Sequence, residues 1–480
     1  MATPIPVNRC AFDAAEIIHA TGALFSGDPG LRVNGVSIDT RNIRPGAVFT
    51  ALRGMRDGHE FIDAAAQAQA AAAIVERGRR HNTLPCFEVD NTLSALGALA
   101  RHHLERFRAL QSLPVVAVGG AAGKTTTKEL VAALMRALFG EILATPGNLN
   151  NLIGVPMTLL TLTGGHHAAV LECGTNQRGE IGRLGDILRP DIALVLNVDI
   201  EHTEGLGSLE GVADEEAALF SRAHCAIVSV SEELLAARVP AGMQTITFGI
   251  ETAADVRLVS RTVIAPGRQQ IRLDLAPWMV EMALPHHLEA TLNLLGGPIA
   301  ENAAAAVAAA AAAWGRPFGG DQIVALAQAL GSIQSVPGRL STIELNGITI
   351  IDDTYNANPR SVRAALTAAR ETADALRTRL VVALGDMLEL GELSPMMHAA
   401  AVRDVFAARP EQFIAVGREF RAAIRHLSET SSLELKVHIA RDSPEAAAVL
   451  RGIIRRGDVL LVKGSRAIGM EHVIDCLSAA

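Results

Sequence analysis

Lysine is scarce in this chain: Lys124, Lys128, Lys436 and Lys463 are the four in 480 residues, and arginine carries the remaining positive charge. Where arginine serves almost everywhere, a retained lysine points to a need for a compact ammonium. An excess of basic residues is also missing. The formal net charge is -8, which argues against non-specific nucleic-acid binding. A long apolar run is absent too. The longest, Ala303 to Ala313, is almost pure alanine and too short to cross a bilayer, so it reads as a packed helix. Met1 to Ala20 lacks a basic start followed by an apolar core, so no signal peptide is expected and the cytoplasm is the expected compartment. The cysteines, Cys10, Cys86, Cys173, Cys225 and Cys476, show no metal spacing, and their odd number fits a reducing environment.

What is present is a chain too long for one ordinary core, in which strand-like runs alternate with Ala-rich helical stretches. An α/β architecture of three domains is expected, with boundaries at 1–110, 111–335 and 336–480. In the first, Val33–Arg41 and Ala47–Leu52 read as strands, and Ala11–Thr21 and Phe61–Ala72 as helices. The second opens on the buried-strand pattern Leu113–Val118 and continues through Ala168–Glu172, Ile192–Asn197 and Cys225–Val228. The third carries Ile348–Asp353, Leu380–Leu384, Phe413–Val416 and Val459–Val462, the pattern of a parallel, doubly wound sheet.

The strongest local signal is Val115-Val-Ala-Val-Gly-Gly-Ala-Ala-Gly-Lys-Thr-Thr-Thr127. A buried strand runs into small residues, then Gly-Lys-Thr, then a helix. Gly120 and Gly123 let backbone amides curl around phosphate oxygens, and the helix presents its positive end through Thr126. Lys124 supplies a point charge, and the Thr125 hydroxyl a ligand for Mg²⁺. The pattern is the short G-x-x-G-K-T form, because Val118 stands where a longer loop would have its first glycine.

Further motifs accumulate around this loop: Ser37-Ile-Asp-Thr-Arg41, Gly147-Asn-Leu-Asn-Asn151, Glu172, His202-Thr-Glu-Gly-Leu-Gly-Ser208, Val336-Pro-Gly-Arg339, Asp352-Asp-Thr-Tyr-Asn-Ala-Asn-Pro359 and Val462-Lys-Gly-Ser-Arg466. Together they make the chain resemble the Mur ligases, ATP-dependent amide-bond-forming enzymes of peptidoglycan synthesis, over nearly its whole length. The run Asp352–Pro359 points within them to the branch that joins D-alanyl-D-alanine to UDP-N-acetylmuramoyl-tripeptide. The resemblance implies an N-terminal domain for the UDP-linked muramoyl peptide, a central P-loop-type ATPase domain and a C-terminal Rossmann-like domain, in a monomer that uses ATP and Mg²⁺.

It also implies roles. Lys124, His202 and Arg339 would be catalytic. Gly120, Gly123, Thr125, Thr126, Asn302, Arg339, Asp353 and Asn358 would join Lys124 in holding ATP. Ser37, Asp39, Thr40 and Arg41 would hold the uridine-diphosphate end, and Asn148, Asn150, Asn151, Lys463 and Arg466 would contact the other substrate groups. Thr125, Glu172 and His202 would carry metal. The chain departs from the family at Ala121 and Ala122, where Ser or Thr and then Asn are usual, and at Leu152, where an acidic residue is common. The adenine-contacting run appears as Gly296-Gly-Pro-Ile299, with only the later Asn302 aligned. A lysine that many members carbamylate aligns with Glu216. Either Glu216 or its neighbour Glu215 replaces that carbamate as a metal ligand, or the second metal site is weakened or lost. Two other functions stay open: a relative joining a different acid and amine, and a non-catalytic scaffold.

Overall fold

The computed structural model describes residues 3–199, 206–430 and 436–478. Three sheets follow one another along the chain, in a three-domain α/β fold with a central ATPase-like unit and a C-terminal Rossmann-like unit. The first sheet has five strands, in the spatial order Leu24–Phe25, Cys86–Val89, Ala72–Glu76, Val48–Thr50 and Val36–Ser37. The expected strand Val33–Arg41 is broken at Gly35, whose φ of 111° lies where side chains rarely go, so Arg32–Asn34 pairs elsewhere with Ala11–Asp13. The expected helix Ala11–Thr21 therefore starts only at Ala14, behind a capping box made by Asp13 and Glu16.

The second sheet has nine strands. Val115–Gly119 lies third from one edge, between Ala169–Glu172 and Ile192–Val195. These strands are buried on both faces, as parallel strands covered by helices are. From Val115–Gly119 the chain crosses first towards Leu143–Ala144 and Ala169–Glu172, then returns to build the other side from Ile192–Val195 onward. The loop after Val115–Gly119 thus sits at a topological switch point, where open α/β sheets bind ligands. The sheet is extended by an antiparallel meander, Val256–Ala265, Arg268–Leu275 and His287–Leu292.

The Ala-rich segment forms the helix Gly297–Trp314, with Ala303 through Ala310 fully buried. Having no side chains beyond Cβ, it lies close against both the sheet and the helix Lys124–Phe139. The third sheet is a hairpin, Ser341–Leu345 and Ile348–Asp353, continued in parallel by Val459–Lys463, Leu380–Gly385, Gln412–Val416 and Lys436–Ala440.

The junctions between domains differ in kind. One continuous apolar core runs from Phe12, Leu99 and Leu104 into Leu159, Leu184 and Leu188, so the first domain is bonded to the second by burial. The third has a separate set of cores, joined to the second by a smaller apolar contact at Leu295 and Val263 and by polar contacts. Arg261 donates to Glu371 at 2.7 and 2.5 Å, Arg360 to Glu232 at 2.8 Å, and Asn148 Nδ2 to the Tyr355 hydroxyl at 3.1 Å. A junction of that kind is the one expected to open. Among the described residues, no helix is long and apolar enough to cross a membrane.

Candidate active site

Gly123 begins the helix Lys124–Phe139 at φ 84° and offers no side-chain oxygen as a cap. The first-turn amides therefore keep no acceptor within the helix and face the cleft as an anion seat. A Cβ on Gly123 would stand 2.7 Å from Asn302 Nδ2, and one on Gly120, at φ 119°, would stand 2.9 Å from the Leu196 amide. Only glycine fits at either place.

The loop between them is held from below. The Gly120 amide donates to Glu216 Oε2 at 2.7 Å. The Ala121 amide donates to the Asn197 carbonyl at 2.9 Å, and the Ala122 amide to Asn197 Oδ1 at 2.8 Å. Asn197 Nδ2 returns a bond to the Ala122 carbonyl at 3.0 Å. Asn197 was not singled out in the sequence. It stands just past the end of the adjacent strand Ile192–Val195, and that placement was the available signal. Lys124 reaches back over the loop, Nζ donating to the Gly120 and Ala121 carbonyls at 2.5 and 3.1 Å.

Next to the loop, Thr125 Oγ1 donates to Glu172 Oε1 at 3.1 Å, and Asn150 Nδ2 donates to the same oxygen at 2.8 Å. Glu172 is buried, and its Oε2 has no hydrogen-bond partner among the described residues. A bare carboxylate oxygen beside a threonine hydroxyl fits a Mg²⁺ ion, which takes one or two carboxylates and completes its shell with water and phosphate oxygens. His202 lies outside the described residues.

The third domain forms the opposite wall of a cleft of about 330 Å³ that contains Lys124, Thr125, Thr126, Asn148, Asn150, Glu172 and Asn302. Arg339, Asp353, Asn358 and Lys463 line it from that side. The Arg339 guanidinium lies 4.2 Å from the centre of the Tyr355 ring. Asp353 and Lys463 are register partners at the ends of adjacent parallel strands, and Lys463 Nζ donates to Asp353 Oδ2 at 2.6 Å and to the Asn356 carbonyl at 2.7 Å.

Several expected ligands are occupied otherwise. Lys463 meets Asp353. Asn151 Oδ1 accepts the Ile153 and Gly154 amides at 3.1 and 2.8 Å, a turn-forming role. Asn358 caps the helix Pro359–Leu376 through the Ser361 amide. Glu216 does not line the cleft, because its Oε2 is turned under the loop to Gly120. Glu215 holds the Gly179 and Ile181 amides at 2.6 and 2.8 Å. Arg466 pairs with Glu471 at 3.2 Å and borders a second cavity of about 340 Å³ with Tyr355, Asn356 and Ser465. Ser37 and Asp39 line a separate cleft of about 20 Å³ in the first domain. There Arg41 donates to Asp39 at 2.7 Å and holds that carboxyl below its ordinary range, with Thr40 half-buried between them.

A phosphate loop facing a Rossmann-like domain across such a cleft defines an ATP-dependent acid–amine ligase. Three family models match: the Mur ligase family catalytic domain over residues 32–104, the Mur ligase middle domain over 118–310, and the Mur ligase glutamate ligase domain over 338–466. UDP-N-acetylmuramoyl-tripeptide–D-alanyl-D-alanine ligase of Escherichia coli is 34% identical over 456 residues, covering 93% of this chain and 94% of that protein. A crystal structure of MurF from Acinetobacter baumannii superposes with a TM-score of 0.86 at 29% identity, covering 99% of this chain and 100% of that one. MurF ligase from Thermotoga maritima in complex with ADP gives 0.78 at 27% identity, covering 92% and 97%. The chain belongs to the Mur ligase family, and within it to the MurF type.

Proposed function

We propose that this chain joins D-alanyl-D-alanine to UDP-N-acetylmuramoyl-tripeptide at the expense of ATP, in the cytoplasm, as a step of peptidoglycan synthesis. The observation that carries the reading is the convergence of Lys124, Thr125 and Glu172 with Arg339 on one cleft between two domains. Residues 1–110 are assigned to the UDP-linked substrate, 111–335 to ATP, and 336–480 to closing the site and receiving the dipeptide.

A carboxylate does not condense with an amine at neutral pH, because its leaving group is poor. Transfer of the γ-phosphoryl group onto the terminal carboxylate of the tripeptide gives an acyl-phosphate. The amine of the dipeptide attacks its carbonyl carbon, and phosphate leaves with the bonding pair. Phosphoryl transfer asks the protein for positioning and charge neutralisation more than for covalent help. The first-turn amides and Lys124 would hold the phosphates. Thr125 and Glu172 would hold Mg²⁺, which supplies electrostatic stabilisation of the transferring group. Arg339 approaches from the third domain, so its charge arrives only with closure and couples chemistry to domain position. Asn197, from the cleft lining, and Glu216, from beneath, brace the loop. Arg466 and the cavity beside Tyr355 are assigned to the incoming dipeptide, whose carboxylate suits a guanidinium.

The test is phosphate release by the purified protein with Mg-ATP, UDP-N-acetylmuramoyl-tripeptide and D-alanyl-D-alanine, with the product identified by mass. Release that needs both substrates and yields the pentapeptide supports the reading. ATP binding without product would move the assignment to another acid and amine.

A further inference from the structure

Away from the phosphate loop the cleft becomes apolar. Leu196, Phe248, Pro298, Ile299 and Leu340 line it there, and none of these side chains carries a hydrogen-bonding group. Flat apolar walls suit the faces of a nucleobase but do not distinguish one base from another. Of the polar side chains that also border it, Ser229 and Ser231 bond to each other and Glu232 accepts from Arg360, which leaves one carboxylate without such a partner. Glu301 borders the same cleft from the first turns of the helix Gly297–Trp314.

Glu301 makes no hydrogen bond or ion pair among the described residues. The cations whose fields reach it are committed to other carboxylates. Arg360 donates to Glu232 at 2.8 Å, and Arg261 holds Glu371 through two bonds. Glu232 and Glu251 add like charge nearby. Burial raises the Glu301 carboxyl above its ordinary range despite Arg360 and Arg261. A half-buried carboxylate without donors is costly, and the cost is relieved only when something brings donors to it.

We infer that Glu301 reads the base of the bound nucleotide, its carboxylate accepting a hydrogen from the exocyclic amino group of adenine. This rests on the reading of the cleft as the nucleotide site. The neighbouring Asn302 packs against Gly123 of the phosphate loop, so one helical turn ties the loop to the base-reading position. Backbone amides and Lys124 recognise any nucleoside triphosphate alike, and selection for adenine falls to Glu301. Inosine triphosphate carries an oxygen in place of that amino group and a hydrogen on the adjacent N1, so at the amino position itself two oxygens would face each other across the contact.

The experiment is calorimetric titration of the full chain, without acid or amine substrate, using Mg-ATP, Mg-ITP, Mg-GTP and Mg-2′-deoxy-ATP. The proteins are wild type, Glu301→Ala and Glu301→Gln, each checked for an unchanged far-UV spectrum. Wild type should prefer ATP over ITP by roughly tenfold or more, the scale of one charge-assisted hydrogen bond. Glu301→Ala should bring the two within about twofold by weakening ATP, and Glu301→Gln, which keeps an acceptor oxygen, should retain part of the preference. Unchanged discrimination in Glu301→Ala overturns the inference, as does an equal loss for ATP and ITP, or a wild-type preference for GTP. A loss that is present with ATP and absent with 2′-deoxy-ATP would move the contact to the ribose and also overturn it. If wild type binds no nucleotide, the reading of the cleft falls first and this inference with it.

Discussion

Asn197 offers a direct test of how the phosphate loop is held. Its side chain makes two bonds to one residue of the loop, accepting the Ala122 amide at 2.8 Å and donating to the Ala122 carbonyl at 3.0 Å. Replacement by alanine removes both. At about 1 kcal/mol for each neutral bond, the loss is about 2 kcal/mol. Water entering from the cleft can satisfy part of what is left, so the upper end of the range does not apply. In a domain of about this size each 1 kcal/mol moves Tm by roughly 2–4 °C, giving a fall of roughly 4–8 °C for Asn197→Ala. The same loss frees the loop to leave its phosphate-binding shape, so KM for ATP should rise by roughly tenfold. Asn197→Asp separates the two bonds. It keeps an acceptor for the amide but sets a charged oxygen against the Ala122 carbonyl, and it should be at least as damaging as alanine. Thermal unfolding and ATP-dependent phosphate release would be measured on all three proteins. If Tm and KM of Asn197→Ala stay within about 1 °C and twofold of wild type, the clamp has no energetic weight and the reasoning fails.

Lys124→Met should fold normally yet lose roughly 10²–10³ in turnover, the scale of removing one preorganised charge contact from a transition state; steady-state kinetics checks it. Lys463→Met strands Asp353 in a buried position and should cost about 3–5 kcal/mol, whereas Lys463→Met with Asp353→Asn should recover much of it, as read from urea midpoints. His103 is buried between the first and second domains, with Nε2 donating to the Leu162 carbonyl at 3.0 Å, and burial lowers its pKa from 6.5 to about 4. The unfolded chain takes up that proton first, so stability is lost as pH falls from 6.5 towards 4, by about 3 kcal/mol at 1.36 kcal/mol per unit. His103→Gln should flatten the urea midpoint over that window.

Those expectations rest on features of unequal visibility in the sequence. Strands buried on both faces, such as Val115–Gly119 and Leu380–Gly385, announce themselves as unbroken apolar runs. The meander from Val256 to Leu292 does not, because its strands are buried on alternate residues and interrupted by polar ones. The spacing of the phosphate loop pointed to Lys124 and Thr125, and the family resemblance to Glu172 and Arg339; all four border one cleft. The same runs could not say how Lys463, Asn151 or Asn358 would be used, because those depend on neighbours distant in the chain or on turn geometry. Asn197 and Glu301 belong to no phosphate motif at all. Each acquires its place only when an adjacent strand or helix is brought against the loop or cleft.

The scarcity of lysine acquires a chemical meaning beside an acyl-phosphate. Such an intermediate acylates any free amine it meets, including those of the protein that makes it. Of the four lysines, Lys128 and Lys463 are fully buried and hydrogen-bonded, and Lys436 is exposed on the outermost parallel strand of the third sheet. Lys124 belongs to the phosphate loop itself, with its ammonium hydrogens engaged by the Gly120 and Ala121 carbonyl oxygens. The other cations that border the cleft are Lys463, whose ammonium is held by Asp353 and the Asn356 carbonyl, and the guanidinium groups of Arg339 and Arg360, which hold their protons and resist acylation. The site is thereby insulated from its own reactive product, leaving the incoming dipeptide as the competent nucleophile within reach.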